Sequence, residues 1–164
     1  MSDTFDAAVA AVLAHEGGLS DDPLDPGGLT HWGFALNRNP DLTAAALRAM
    51  TREGAVARYR ALWWDRYGWD RLPPAIAVKL FDLAVPCGPA TAFRALQRAC
   101  RAAGRRVAED GVLGGETIAA AAALPEAALL AALRSELAAH FRALVAADPG
   151  KRRFLDGWLT RAYG

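Results

Sequence analysis

The spacing of apolar residues constrains this chain most, because it follows helical periodicity wherever the pattern is regular. Near the N-terminus, Phe5, Val9, Val12 and Leu13 fall at positions i, i+4, i+7 and i+8, as in a helix that buries one face. The composition agrees, since alanine, leucine and arginine are plentiful and residues that favour strands are scarce. The sequence therefore predicts an all-α protein.

Prolines, glycines and capping residues divide the remaining pattern into further helices. We predict these over residues 43–50, from Thr51 through Trp63, from Pro73 to a turn at 86–89, over 91–103, from Glu116, from Pro125 to Ala147, and over 154–163. Between the first two helices, turn residues dominate a long stretch, and a loop of that length in a compact chain usually has a function. We expect a long functional loop there, with room for a small β element.

The length and the turns suggest how the chain is organised. A chain of 164 residues can form one domain or two small lobes. The Pro-Cys-Gly-Pro turn at residues 86–89 is the best boundary between lobes. We therefore predict a first region over residues 4–88 and a helical second region over residues 89–164, the two sharing one core.

Charge is distributed unevenly along a chain whose formal net charge is only +1. Residues 1–50 carry two arginines against seven acids, a net of −5, whereas residues 51–164 carry a net of +6. A basic cluster lies within the second stretch at Arg101, Arg105 and Arg106. Such a cluster suits contact with an anionic polymer, and it equally suits a solvated helix end.

The N-terminus gives no sign of export through a signal peptide. Residues 1–6 lack a basic start and an apolar stretch, and the most apolar stretch, residues 118–133, is interrupted by Pro125 and Glu126. We therefore expect synthesis in the bacterial cytoplasm without a signal peptide, and no membrane insertion. The two cysteines, Cys87 and Cys100, are either free thiols or one bridge formed after export.

Glu16 is the first candidate for chemistry. It lies eleven residues after Phe5, close to three helical turns, and should therefore continue the buried face of the first helix. Partial burial and the negative end of the helix dipole both disfavour a carboxylate, and a glycosidase general acid must keep its proton. Gly17 and Gly18 leave room beside it for a bulky substrate. Position alone would equally suit a surface glutamate at a frayed helix end.

Two polar residues in the following loop could assist Glu16. Glycoside hydrolysis commonly uses two carboxyl groups on opposite sides of the scissile bond, and Asp25 could be the second. Thr30 could orient a water molecule. Each residue also has an ordinary explanation, which is an Asx turn before Pro26 for Asp25 and a local backbone hydrogen bond for Thr30.

Two other residue patterns bear on the chemistry of this chain. The pair His15-Glu16 begins like a zinc-protease motif, but Leu19 occupies the position of the second histidine, so we predict no metal site. Large aromatic residues are more often part of a core than sugar contacts, and on this ground we assign Trp63 and Trp158 to the core.

One dense motif surrounds Glu16, namely His15-Glu16-Gly17-Gly18 followed by Asp22-Pro23-Leu24-Asp25-Pro26-Gly27-Gly28-Leu29-Thr30-His31-Trp32-Gly33. Further motifs follow at Tyr59, Trp63-Trp64-Asp65, Leu72-Pro73-Pro74, Phe81-Asp82-Leu83-Ala84-Val85, Leu96-Gln97-Arg98-Ala99 and Asp110-Gly111-Val112-Leu113-Gly114-Gly115-Glu116-Thr117. Together they resemble glycoside hydrolase family 108, N-acetylmuramidases found as phage endolysins and secretion-activating proteins. The last two resemble the peptidoglycan-binding region of that family.

This resemblance implies a lysozyme-like helical fold, with the catalytic glutamate of the family at Glu16. The order Glu16, Asp25, Thr30 also resembles the glutamate–aspartate–threonine set of tailed-phage lysozymes, with the last gap one residue shorter. The substrate-binding residues that we predict beside this set are Gly17, Gly18, His31 and Trp32. Two positions depart from the family, since Leu19 replaces a usual aromatic residue and Pro86 a common asparagine.

The predicted function is hydrolysis of the β-1,4 bond between N-acetylmuramic acid and N-acetylglucosamine. Glu16 would protonate the leaving oxygen with help from Asp25, and no cofactor is needed. We expect a monomer whose partner is peptidoglycan and not a nucleic acid, released to the cell wall by a holin or a secretion-system partner. Two alternatives stay open, a peptidoglycan-binding or secretion-accessory protein that cuts nothing, and a lytic transglycosylase.

Overall fold

Helices dominate the computed structural model of this protein, which describes residues 3–16, 18–21 and 28–164. The predicted all-α class is confirmed, and the described strands form one small two-stranded sheet. By internal contacts the chain divides into two units, Met1–Gly68 and Trp69–Gly164.

The first unit contains one long helix, a β-hairpin and several short helices. Its elements in chain order are α1 (Asp3–His15), β1 (Thr30–His31), β2 (Phe34–Ala35), a 3-10 turn (Leu36–Arg38), α2 (Ala44–Arg48), α3 (Arg52–Tyr59), a π-helical turn (Arg60–Trp64) and α4 (Asp65–Tyr67). The hydroxyls of Thr43 and Thr51 accept hydrogen bonds from the backbone at the starts of α2 and α3, so these two threonines are the N-caps.

The apolar face predicted for the first helix forms part of the core of this unit. Phe5, Val9 and Val12 of α1 are buried, and Leu13 is partly buried. Phe5 packs edge to face on Trp64, with ring centroids 5.3 Å apart. The spacing read from the sequence therefore identified the correct face of α1.

The small β element expected in the loop is present. β1 and β2 pair in antiparallel register, with Thr30 opposite Ala35 and His31 opposite Phe34. Ser20 extends the pairing on the other side of β1, because its backbone exchanges two hydrogen bonds of 2.8 Å with Thr30.

The second unit is built from longer helices. Its elements in chain order are a 3-10 turn (Trp69–Arg71), α5 (Pro74–Cys87), α6 (Pro89–Ala102), α7 (Gly115–Ala122), α8 (Glu126–Ala147), a second 3-10 turn (Pro149–Phe154) and α9 (Leu155–Tyr163). The turn predicted at residues 86–89 is shorter than expected, because only one residue separates α5 from α6. Pro86 lies within the last turn of α5, and Gly88, with φ of +83°, separates the two helices.

Two of the tryptophan assignments were wrong. The described core contains Trp64 and Trp69, whereas Trp63 and Trp158 are only partly buried. Trp63 and Trp64 are consecutive in one helical turn, so they project in different directions and only one faces the core. Trp158 stacks on Phe141, with ring centroids 5.2 Å apart, but retains contact with solvent.

The boundary between the two units falls after Gly68 in the sequence, whereas we predicted a domain boundary after residue 88. Helix α5 packs on α6 and α8, and so it belongs with the second unit. The division into residues 4–88 and 89–164 stays a prediction.

Neither a membrane span nor a disulfide is found among the described residues. No single helix there is long and apolar enough to cross a membrane; α7 and α8 reach the threshold only as a pair, and they are bent by 119° at their junction. Cys87 and Cys100 are free thiols, and burial raises the pKa of Cys87 to about 11.

Candidate functional site

Glu16 follows directly on α1 and is partly buried, whereas its neighbour His15 is exposed. Its backbone N–H donates a hydrogen bond of 2.8 Å to the carbonyl oxygen of Val12, so the last helical turn fixes the position of its Cα. The side chain therefore starts at the negative end of α1.

The turn of the β-hairpin approaches Glu16 so closely that position 33 has no room for a side chain. A Cβ added to Gly33 would lie 3.1 Å from Cγ of Glu16 and 3.3 Å from its Cβ, and it would overlap the hydroxyl of Tyr59. The φ of Gly33, +82°, also favours glycine. Glycine at this position lets the hairpin pack directly on the aliphatic part of Glu16.

Trp32, in the hairpin turn, has a strained backbone conformation. Its φ of +52° lies in the left-handed region, which costs a bulky residue about 1–2 kcal/mol. Two hydrogen bonds oppose that cost. The hydroxyl of Tyr59 donates to the carbonyl oxygen of Trp32 at 2.9 Å, and the indole N–H of Trp32 donates to the carbonyl oxygen of Met50 at 3.0 Å.

His31 is fixed on the same turn. Its Nδ1 lies 2.8 Å from the carbonyl oxygen of Leu47, and because a carbonyl oxygen only accepts, Nδ1 must carry the proton. The imidazole stacks on the indole of Trp32, with ring centroids 5.2 Å apart. The structure thus places the two predicted aromatic contact residues side by side.

The base of the hairpin is anchored on α3. Phe34 is buried and its ring lies 4.6 Å from that of Tyr59. The guanidinium of Arg58 lies 5.3 Å from the ring of Phe34 and pairs with Asp41, and this hydrogen-bonded pair lowers the pKa of the Asp41 carboxyl group. Helix α3 therefore contacts the hairpin on both sides of Gly33, through Trp32 and through Phe34.

Other predicted site residues are less closely tied to Glu16. The hydroxyl of Thr30 donates to the carbonyl oxygen of Gly28 at 3.2 Å, the local bond that was its ordinary alternative, and its oxygen can still accept. Gly18 is exposed, and a Cβ there would meet nothing within 4 Å, so space beside it is open. Gly17 and Asp25 lie outside the described residues, and their roles stay predictions.

Sequence reasoning gave no positioning role to Gly33, which packs on Glu16, or to Tyr59, whose hydroxyl lies beside Gly33. Tyr59 carried only part of a motif likeness, and its partner Trp32 lies 27 residues away along the chain. A pattern in neighbouring residues cannot predict a contact between residues so far apart in the sequence. In the described part of the chain, no three His, Cys, Asp or Glu side chains cluster as metal ligands.

Comparison with known proteins gives three findings. The family model described as glycosyl hydrolase 108 matches residues 9–88, and a model described as a predicted peptidoglycan domain matches residues 91–163. No protein with a curated description matches significantly. Among solved structures, that of Brucella abortus SagA is similar, with a TM-score of 0.75 and 29% sequence identity over 98% of this chain and 94% of that chain.

These findings agree with the residues that first suggested a family. Together the two models account for nearly the whole chain, and the likeness to SagA extends over the same length. They bear out the lysozyme-like helical fold expected from the sequence and connect the function of the protein with peptidoglycan. The first half of the chain, residues 9–88, therefore matches the glycosyl hydrolase 108 family, and residues 91–163 match a predicted peptidoglycan domain.

Proposed function

We propose that this protein is a muramidase that hydrolyses the β-1,4 bond between N-acetylmuramic acid and N-acetylglucosamine, with Glu16 as its general acid. The observation that carries the proposal is the setting of Glu16. Glu16 follows the end of α1, is partly buried, and has the aliphatic part of its side chain against the hairpin turn at Gly33. The match of residues 9–88 to glycosyl hydrolase 108 supports the reaction class.

In this mechanism Glu16 begins in its protonated form. It gives its proton to the glycosidic oxygen as the bond from that oxygen to the anomeric carbon breaks, which leaves positive charge on the sugar ring. A water molecule adds its hydroxyl to the anomeric carbon, and the proton it loses goes to a base, for which we propose Asp25. Thr30 would accept a hydrogen bond from that water through its oxygen.

The neighbouring residues suit a polymeric sugar substrate. The open space beside Gly18 would admit a glycan strand next to Glu16. The stacked rings of His31 and Trp32, both partly buried, would pack on the apolar face of a sugar ring. Gly17 would leave the approach to Glu16 clear of side chains.

Replacing Glu16 with glutamine tests the proposal, because the amide keeps the size of the side chain and cannot supply the proton. We expect Glu16→Gln to release new reducing ends from purified cell walls at least about 100-fold more slowly than wild type. The matched control is Glu53→Gln, on the exposed surface of α3, which should cleave at the wild-type rate. Wild-type turnover by Glu16→Gln would contradict the proposal.

A second function has an observation in its favour, namely a protein that binds peptidoglycan without cutting it. The predicted peptidoglycan domain matches a stretch nearly as long as the hydrolase region, and Leu19, which departs from the aromatic residue usual in the family, is 51% exposed. This alternative predicts that the wild-type protein pellets with cell walls and releases no reducing ends. Mass spectrometry of released fragments separates hydrolysis, which adds water, from lytic transglycosylation, which leaves an anhydro sugar.

We extend the proposal to organisation and location. Residues 4–88 would carry catalysis and residues 89–164 would hold the polymer. The protein would act as a monomer on the cell wall after release by a holin or a secretion-system partner. Loss of wall clearing when the partner is deleted, with the purified protein still active, would support this route.

A further inference from the structure

The second unit has an open concavity of about 500 Å³ where α6 ends. It is lined by residues 101 and 104–109. Gly104, with φ of +83°, reverses the chain after α6, and the backbone N–H of Arg105 returns to the carbonyl oxygen of Cys100 at 2.9 Å. This reversal brings Arg105 and Arg106 to the same concavity as Arg101.

The lining carries more positive than negative charge. It holds three arginines and one acid, Glu109, and that acid is shared between Arg101 at 3.4 Å and Arg98 at 2.8 Å. Arg105 donates a hydrogen bond to the carbonyl oxygen of Ala123, which ends α7, so part of its role is structural. Arg106 is exposed.

The shape and composition of the concavity restrict what it could bind. Its volume lies within the range of roughly 300–1,000 Å³ typical of sites for small molecules, which is larger than a single ion needs. None of its seven lining residues is aromatic, so it offers no ring on which a sugar could stack. Guanidinium groups present several N–H donors in one plane, a geometry that matches carboxylates.

We propose that this concavity is a subsite for the carboxylate groups of the peptide stems of peptidoglycan. The inference rests on the proposed function only in taking peptidoglycan as the polymer bound. Arg101 and Arg106 would each donate to a stem carboxylate, while Arg105 adds positive charge and keeps its bond to Ala123. The second unit would then bind the peptide part of the polymer, and the first unit would bind the glycan.

Binding to two forms of the same cell wall tests this subsite. The proteins carry Glu16→Gln so that the wall stays intact during pelleting. One wall sample is untreated, and an amidase has stripped the peptide stems from the other. We expect R101Q/R106Q to bind intact walls on the order of tenfold more weakly than its parent, and stripped walls equally well. A soluble stem peptide should compete with the parent for intact walls.

The control is R142Q/R152Q, which removes the same charge at two exposed positions of the second unit outside the concavity. It should bind intact walls like the parent. Because R101Q also removes the contact with Glu109, the single variant R106Q is measured beside it, with an expected loss of about threefold.

Unchanged binding by both R101Q/R106Q and R106Q would overturn the inference, as would an equal loss on stripped walls or in the control. These outcomes are separate from those of the hydrolase assay. Failure of wild type to release reducing ends would refute the proposed reaction and leave a stem-dependent loss in R101Q/R106Q intact.

Discussion

Glu16, the proposed general acid, packs against a glycine that is distant in the sequence, Gly33. The position of Glu16 was predictable, because eleven residues from Phe5 is a local count along one helix. Its contact with Gly33 was not, since that contact requires the hairpin to fold back on α1 and Tyr59 to lie beneath the turn. The face of a helix on which a residue lies can be predicted from neighbouring residues. The close approach of two distant segments cannot.

Gly33→Ala is expected to lower wall hydrolysis at least about tenfold and to destabilise the protein by about 1–2 kcal/mol. The added methyl group overlaps the Tyr59 hydroxyl and presses on Glu16, and the φ of +82° disfavours alanine. Release of reducing ends and thermal unfolding measure the two effects. Tyr59→Phe removes the overlapping hydroxyl, so the double variant should recover part of the stability lost.

Gly157→Ala is the control, because a Cβ at Gly157 meets nothing within 4 Å and its φ is not positive. If Gly33→Ala and Gly157→Ala hydrolysed walls equally fast, the close packing on Glu16 would have no bearing on activity.

At the scale of elements, one buried side chain, that of Gln97, connects the two motifs of the second unit, residues 96–99 and residues 110–117. Gln97 of α6 is fully buried and its amide N–H groups lie 2.7 Å from Asp110 Oδ1, 3.0 Å from the carbonyl oxygen of Val112 and 3.1 Å from Thr117 Oγ1. Its amide oxygen accepts from the N–H of Gly111 at 2.9 Å. The two motifs are therefore parts of one hydrogen-bonded network that ties the start of α7 to α6.

Replacing Gln97 with leucine should reduce the free energy of unfolding by about 3 kcal/mol, because several buried partners lose their hydrogen bonds at once. Thr117→Val removes the hydroxyl that accepts from Gln97 and donates to the Val112 carbonyl oxygen at 3.4 Å, but it leaves the other bonds of Gln97 in place, and it should cost about 1 kcal/mol. Chemical denaturation of both variants checks the order. Equal losses in the two would mean that Gln97 does not hold the network together.

Helix starts were more accessible to prediction than these contacts. Thr43 and Thr51 were read as starts because a capping residue bonds within three positions of itself, and both cap α2 and α3 as expected. Gln97 bonds to residues 13 to 20 positions away, which no reading of local pattern could connect.

At the scale of the whole molecule, the second unit closes on itself through a buried cluster of charges. Asp82 of α5 is 2% exposed and accepts hydrogen bonds from Arg161 of α9 at 2.9 and 3.1 Å. Lys79 donates to the carbonyl oxygen of Arg161 at 2.9 Å. Burial lowers the pKa of Lys79, and the negative charge of Asp82 partly offsets that effect.

Asp82→Asn should destabilise the protein by about 3–5 kcal/mol, because the buried Lys79 and the partly buried Arg161 would lose the negative charge of the Asp82 carboxylate. Thermal unfolding measures the loss, and Asp70→Asn at an exposed position should change little. A loss below about 1 kcal/mol in Asp82→Asn would show that the cluster contributes little to stability.

The grouping of α5 with the second unit shows what the sequence could not supply at this scale. The Pro-Cys-Gly-Pro turn indicates where a helix ends. It does not indicate which other helices that helix packs against. Asp82 and Arg161 are 79 residues apart, and their pairing joins α5 to the end of the chain.

The left-handed backbone of Trp32 sets opposing demands on one position. Glycine or asparagine would accept its φ of +52° at lower cost. Either residue would also lose the indole bond to Met50 and the stacking on His31. Selection at codon 32 would therefore act on the contacts of the indole and not on the preference of the backbone.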